Sequence, residues 1–149
     1  MKLRWEIHSF DELSNTNLYA ILQLRSAVFV VEQHCPYQDT DDKDQLSFHI
    51  TGWEGDRLLA YCRVLPPGLS FEEASIGRVL VAGPARGSGN GRNLMELAVR
   101  FSLEQFQCTR ITIGAQLYLE EFYSSLGFAK ISDTYLEDNI PHIKMQLTA

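Results

Sequence analysis

Hydrophobic positions change period several times along the chain, and each change marks an element. Residues 3–8 read as a short first strand. Leu18, Ile21, Leu22, Val28 and Phe29 recur at helical spacing, which predicts a helix or helix pair over residues 14–30 with Ser14 as N-cap. Residues 48–53 and 57–65 flank Glu54-Gly55-Asp56, a hairpin signal. Residues 74–82 form a further strand. A glycine-rich turn then leads into a helix on which Leu94, Leu97, Ala98 and Phe101 make an apolar stripe. Residues 110–114 are a short β-branched strand, and residues 119–126 a short helix stopped by Gly127. Two last strands, 128–135 and 140–147, are separated by a polar turn. This order predicts an α/β protein (α+β in some schemes), with a mixed sheet and helices on its faces.

The chain has 149 residues, which suits one domain spanning 1–149. A domain of this size buries about 70% of the surface its unfolded chain exposes, enough for a core. No apolar run approaches the roughly 18 residues that span a bilayer. The start, Met1-Lys2-Leu3-Arg4-Trp5-Glu6, lacks the apolar run of a signal peptide, so a cytoplasmic protein with no membrane partner is expected. Cys35, Cys62 and Cys108 are odd in number and scattered, against a disulfide framework, and His8, His34, His49 and His142 have no zinc spacing. The net charge of −6 repels phosphate backbones, so no nucleic-acid partner is expected. An acidic surface tolerates a cationic amine. Asp39, Asp41, Asp42 and Asp44 resemble a calcium loop only superficially. Lys43 would fall at a ligand position, Asp44 where Gly is required and Ile50 where Glu is required. No metal is expected, and these aspartates read as turn and cap residues bordering a pocket.

The strongest chemical signal is the run from Val79 through Ala82-Gly83-Pro84-Ala85-Arg86-Gly87-Ser88-Gly89-Asn90-Gly91 into a helix. Dense glycines let backbone amides turn toward a ligand, and the following helix adds unpaired N–H groups and a positive dipole end. Together they make an anion site suited to a phosphate, with Arg86 as an added cation. A nucleotide P-loop needs Lys then Ser or Thr after the last glycine, where Arg92 and Asn93 stand. A dinucleotide fingerprint needs Gly or Ala at position 92 or 94, which are Arg92 and Leu94. Both fail.

The stretch instead resembles the acyl-CoA signature of the GNAT N-acetyltransferase superfamily: Arg or Gln, two residues, Gly, one residue, Gly or Ala. Arg86, Gly89 and Gly91 fill it. Phe122-Tyr123-Ser124-Ser125-Leu126-Gly127-Phe128 resembles the superfamily's later helix motif, and Leu24 to Gln33, Cys35 to Asp39 and Ile140-Pro141-His142-Ile143 look like its ElaA-type branch. The resemblance implies a mixed, mostly antiparallel sheet of about six or seven strands with about four helices, splayed between the fourth and fifth strands. It implies pantetheine contacts at the backbone of Val79, Leu80 and Val81, and a pyrophosphate on Gly87, Ser88, Gly89, Asn90, Gly91 and Arg92. Asn90 stands where an apolar residue is usual, and Gln116 where many members have a pantetheine-binding Asn.

The resemblance further implies direct transfer of an acetyl group from acetyl-CoA to an amine, either a small molecule or a peptide, and leaves a homodimer open. It places Tyr123 as the general acid for the leaving thiolate; the alternative is a core aromatic beside Phe122 and Phe128. An amine near pKa 10 must lose its proton before attack. Glu32, Glu137, Asp138, His142 and water all remain candidates for that base. A non-catalytic acyl-CoA-binding domain is the alternative function.

Overall fold

A computed structural model describes residues 2–149. Among them are eight strands and three α-helices in the order β1 (Arg4–Ser9), α1 (Asn15–Arg25), β2 (Phe48–Glu54), β3 (Arg57–Leu65), β4 (Ser75–Val81), α2 (Asn90–Phe106), β5 (Arg110–Gln116), α3 (Glu120–Ser125), β6 (Ala129–Lys130), β7 (Tyr135–Glu137) and β8 (Ile140–Thr148). The α/β class is as expected, with one more strand and one fewer α-helix. The anticipated strand over 128–135 splits in two because the Lys144 amide donates to the Ser132 hydroxyl at 2.8 Å, which interrupts the ladder. The expected first helix is α1 continued as a π-helix, Ser26–Glu32. Ser14 caps α1 by accepting from the Asn17 amide at 3.0 Å.

The strands form two antiparallel sheets, β1-β2-β3-β4 and β5-β8-β6, with β7 on β8. They meet at one parallel bridge, Ala74 with Ile111, closed by the Thr112 amide donating to the Ala74 carbonyl at 2.9 Å. Beyond it β4 and β5 diverge. Leu94, Met95 and Ala98 of α2 are fully buried against Ile50, Leu59, Ile111, Ile113, Ile143 and Met145. On the opposite face Ile21 of α1 packs with Trp53, Leu58, Tyr61 and Leu80. Strand alternation supplies both faces, since successive side chains point to opposite sides.

Three of the four aspartates, Asp39, Asp41 and Asp44, are more than turn residues, while Asp42 is an exposed turn residue with φ +65. Arg25, fully buried at the end of α1, donates to Asp39 at 2.8 Å and Asp44 at 2.6 Å. Arg63 on β3 binds Asp41 and reaches Asp44 at 3.0 Å; Arg78 on β4 donates to Asp39 at 2.8 Å. His49 sits beneath. A carbonyl only accepts, so its Nε2 donates to the Asp44 carbonyl at 2.9 Å and its Nδ1 accepts from Tyr61 at 2.6 Å. Three arginines and three aspartates thereby fix an otherwise irregular segment to both α1 and the sheet.

Removing one member strands a buried charge, which typically costs about 3–5 kcal/mol. Arg25→Ala is expected to lose about that much stability, read from urea unfolding at pH 7. Burial opposes ionisation of Asp41 and Asp44, but bonds from Arg63 and Arg25 outweigh it and hold both carboxyls below the usual 3.8. Depressed folded values mean the contribution is complete above about pH 5 and is lost as pH falls through the lower folded values. The urea midpoint of wild type should therefore drop steeply below pH 4, and Asp41→Asn should flatten that drop.

Candidate active site

The divergence of β4 and β5 opens a cleft of about 1290 Å³. It passes between the two sheets, so it has one wall on the α2–α3 side and one on the α1 side. Val79, Val81, Gly91, Phe122 and Tyr123 belong to the first wall. The second is lined by Phe29, Glu32, Tyr37, Arg78, His142 and Lys144.

On the β4 edge, Arg78 and Val79 drop out of register with β3. Arg78 has φ +51, a left-handed conformation that a non-glycine adopts at a bulge. The bulge turns Arg78 onto Asp39 and leaves Val79 facing the gap. Leu80 is buried toward α1, so only its backbone borders the opening. The Val81 carbonyl accepts from Arg86 Nε at 2.7 Å.

The glycine-rich turn lies at the mouth. Gly87 has φ +81 and Gly89 φ +79, and a Cβ at either would meet nothing within 4 Å, so the backbone there is open to a ligand. The Asn90 side chain is buried and donates to the Ala85 carbonyl at 3.0 Å, locking the turn. That explains a polar residue at a usually apolar position and leaves only its backbone to the ligand side. Gly91 and Arg92 begin α2, where amides have no intrahelical acceptor. The Arg92 side chain crosses to Ser125 of α3 at 2.6 Å, and Ser88 is an exposed turn residue.

Arg86 is tethered. Its fork donates to both Glu32 oxygens at 3.1 and 2.8 Å, joining the π-helix to the turn across the mouth. The bonds from Arg86 hold the Glu32 carboxyl below its usual range, which makes Glu32 a weaker base.

Tyr123 is buried in α3 between Phe122 and Phe128 at ring distances of 5.2 and 6.0 Å. Its hydroxyl forms no hydrogen bond among the described residues. Burial, then nearby Cys62 and Tyr118, push its pKa well up, so it stays protonated. His142 donates from Nδ1 to the Ile140 carbonyl at 2.7 Å. A carbonyl cannot donate, so Nδ1 carries a proton, and Nε2 of the buried ring lies 3.4 Å from Glu137 Oε2. Gln116, paired across β5–β8 with His142, donates to Gln33 at 3.4 Å. Asp138 accepts the Cys35 thiol at its carbonyl and borders the same cleft.

The cleft thus gathers Tyr123, Glu32, His142, Glu137, Asp138 and Gln116 from distant parts of the sequence. Sequence reasoning missed Arg25, Arg63 and Arg78. Arg63 carried a signal, a charge inside the apolar run that follows Arg57 in the strand Arg57–Leu65. It also missed Tyr37, Tyr135 and Lys144, which nothing in their local sequence marks out.

A two-sheet α/β fold joined at one bridge and splayed beyond it, with a glycine-rich turn at the cleft mouth, is the acyl-CoA transferase architecture. Residues 19–149 match the family described as acetyltransferase (GNAT) domain. The chain belongs to the GNAT family, in its ElaA-like branch. It is 43% identical over 145 residues to ElaA of Escherichia coli strain K12, covering 96% of this chain and 95% of ElaA. It superposes with an acyl-CoA N-acyltransferase from Pseudomonas aeruginosa at TM-score 0.94 and 40% identity, covering 99% and 100% of the two chains. A CoA-dependent acyl-homoserine lactone synthase solved with SAM and isopentyl-CoA shares the fold at TM-score 0.82 and 18% identity, covering 98% of this chain and 83% of that one. Family and fold make this chain an acyltransferase that uses acyl-CoA and an acceptor. Among the described residues no helix is long and apolar enough to cross a membrane.

Gly89→Val would strain a left-handed residue and fill open space at the turn. The variant should fold, by circular dichroism, yet bind CoA at least tenfold more weakly in calorimetry.

Proposed function

We propose that the chain transfers an acetyl group from acetyl-CoA directly to an amine. The observation that carries this reading is that one cleft is lined by a protonated, unengaged Tyr123 hydroxyl on one wall and by His142, with its Nε2 beside Glu137, on the other. Acyl transfer to an amine needs one acid and one base, and these two environments supply them.

In this reading the amide groups of Gly87, Ser88, Gly89, Asn90, Gly91 and Arg92 bind the pyrophosphate. The β4 edge at Val79, Leu80 and Val81 holds pantetheine, with Gln116 opposite. His142 Nε2 takes a proton from the acceptor nitrogen, and Glu137 stabilises the imidazolium. The nitrogen lone pair attacks the thioester carbonyl, the nitrogen gives its second proton to solvent, the C–S bond breaks, and the leaving thiolate takes the Tyr123 proton. Solvent returns a proton to Tyr123 and removes the one on His142. Glu32 is less suited as base, because Arg86 holds it ionised. Once pyrophosphate arrives, Arg86 can exchange Glu32 for phosphate. The family description names an acetyltransferase, which supports the acetyl donor; comparing acetyl-CoA with isopentyl-CoA as donors tests it.

An amine screen read by thiol release tests the reading as a whole; acetyl-CoA binding without turnover on any amine would leave a non-catalytic acyl-CoA-binding domain. Tyr123→Phe keeps the ring and its packing. It should bind acetyl-CoA as wild type does and turn over about 10- to 100-fold more slowly in a pre-steady-state assay. Unchanged turnover would make Tyr123 a packing residue.

A further inference from the structure

The α1-side half of the cleft differs in charge from the molecule around it. The chain as a whole carries −6. Asp41 lines this half, but its charge is consumed in the network of Arg25, Arg63 and Arg78 with Asp39, Asp41 and Asp44, which is neutral overall. Away from Glu137 and Asp138, the charges left over are the lysines Lys43 and Lys144. Lys43 donates only to the Ser70 hydroxyl at 2.8 Å, and Lys144 lies 5.8 Å over the Phe71 ring. Neither forms an ion pair among the described residues. Nη1 of Arg78 makes no hydrogen bond there either, and the buried Nε of Arg63, on the same cleft, has no partner.

Between these cations the floor is bare. Gly77 of β4 and Gly114 of β5 both line the cleft. Neither has a positive φ, so backbone conformation does not require glycine. A Cβ on Gly77 would meet only Leu65 Cδ1 at 3.9 Å, and one on Gly114 would approach the Tyr135 hydroxyl at 3.1 Å. The missing side chain of Gly77 leaves a hollow, and the Tyr135 hydroxyl sits over Gly114 at its edge. Gly114 pairs with Lys144 and Gln116 with His142, and Lys144 and His142 share one face of β8, two residues or roughly 7 Å apart. Glu137 and Asp138 stand at the His142 end of the same cleft.

We infer that the acceptor is a small amine bearing a carboxylate, an amino acid, with its carboxylate in the Gly77–Gly114 hollow against Lys144 and Arg78 and its amine toward His142. This deepens the proposed function and rests on it. Lys43 and Lys144 repel the second charge of a diamine and attract a carboxylate, while the acidic end receives the ammonium group before it gives up its proton. Lys144 is here a specificity-determining residue. It is exposed, so its removal leaves the core intact.

The test compares acceptors matched in side chain: phenylalanine with phenethylamine, leucine with isopentylamine, and putrescine as the diamine. Binding to the CoA-saturated protein is measured by calorimetry, and turnover with acetyl-CoA by thiol release. Wild type should prefer the carboxylate member of each pair at least tenfold in Kd and in kcat/KM. Lys144→Ala should collapse that ratio through KM with CoA affinity unchanged. Gly77→Val, which fills the hollow, should weaken both members of a pair. Turnover that favours phenethylamine or putrescine overturns the inference while leaving the amine acetyltransferase reading intact. A ratio that Lys144→Ala leaves within twofold also overturns it. Carboxylate-selective binding without thiol release sinks the catalytic reading but supports the hollow as an amino-acid site.

Discussion

Everything functional in this fold depends on the contact between Ala74 and Ile111. It joins the two sheets at one end and nothing joins them at the other. Two strand edges buried side by side would normally pair, since unpaired backbone groups are costly away from water. Here the Arg78–Val79 bulge and the chain's exit into the glycine-rich turn carry β4 away from β5, so its edge faces a cleft. An extended ligand with its own amides can occupy that edge as a strand would.

A splayed sheet needs its walls held from outside. On the α2 side apolar packing does this, through Leu94, Met95 and Ala98. On the α1 side the work falls to ions, because the segment between the π-helix and β2 has too few apolar residues to pack by itself. Arg25 ties it to α1, and Arg63 and Arg78 tie it to β3 and β4. Directional bonds of this kind fix position more sharply than hydrophobic contact. The cost is that each charge must stay paired. The same arginines neutralise the aspartates, which leaves Lys43 and Lys144 as the cations without an ion pair among the described cleft residues.

Environment separates groups that look alike in sequence. Glu32 and His142 are both candidate bases lining one cleft. Arg86 holds the first as an ion, while the second donates from Nδ1 to the Ile140 carbonyl and keeps Nε2 beside Glu137. Tyr123 and Tyr135 both border the opening, yet Tyr123 is enclosed by aromatic rings and Tyr135 stacks on His142. Roles follow from these surroundings rather than from residue type.

The sequence by itself determined the elements and the glycine-rich turn. Both are local: helical and strand periods repeat within a few residues, and Gly87 and Gly89 occupy backbone conformations that glycine alone adopts easily. Its reading of the last strands as two was incomplete, because the break at Ser132 depends on a bond to Lys144, twelve residues on. The aspartates between Asp39 and Asp44 were legible as polar but not as the anchors of a buried network. Their partners lie 14 to 39 residues away on three different elements. Only the tertiary structure decided that Arg86 meets Glu32, that His142 keeps Nε2 beside Glu137, and that Lys144 flanks a hollow between two glycines. Each of these is a long-range pairing of charge or shape, and a one-dimensional pattern carries no record of which distant side chain a strand register will bring opposite another.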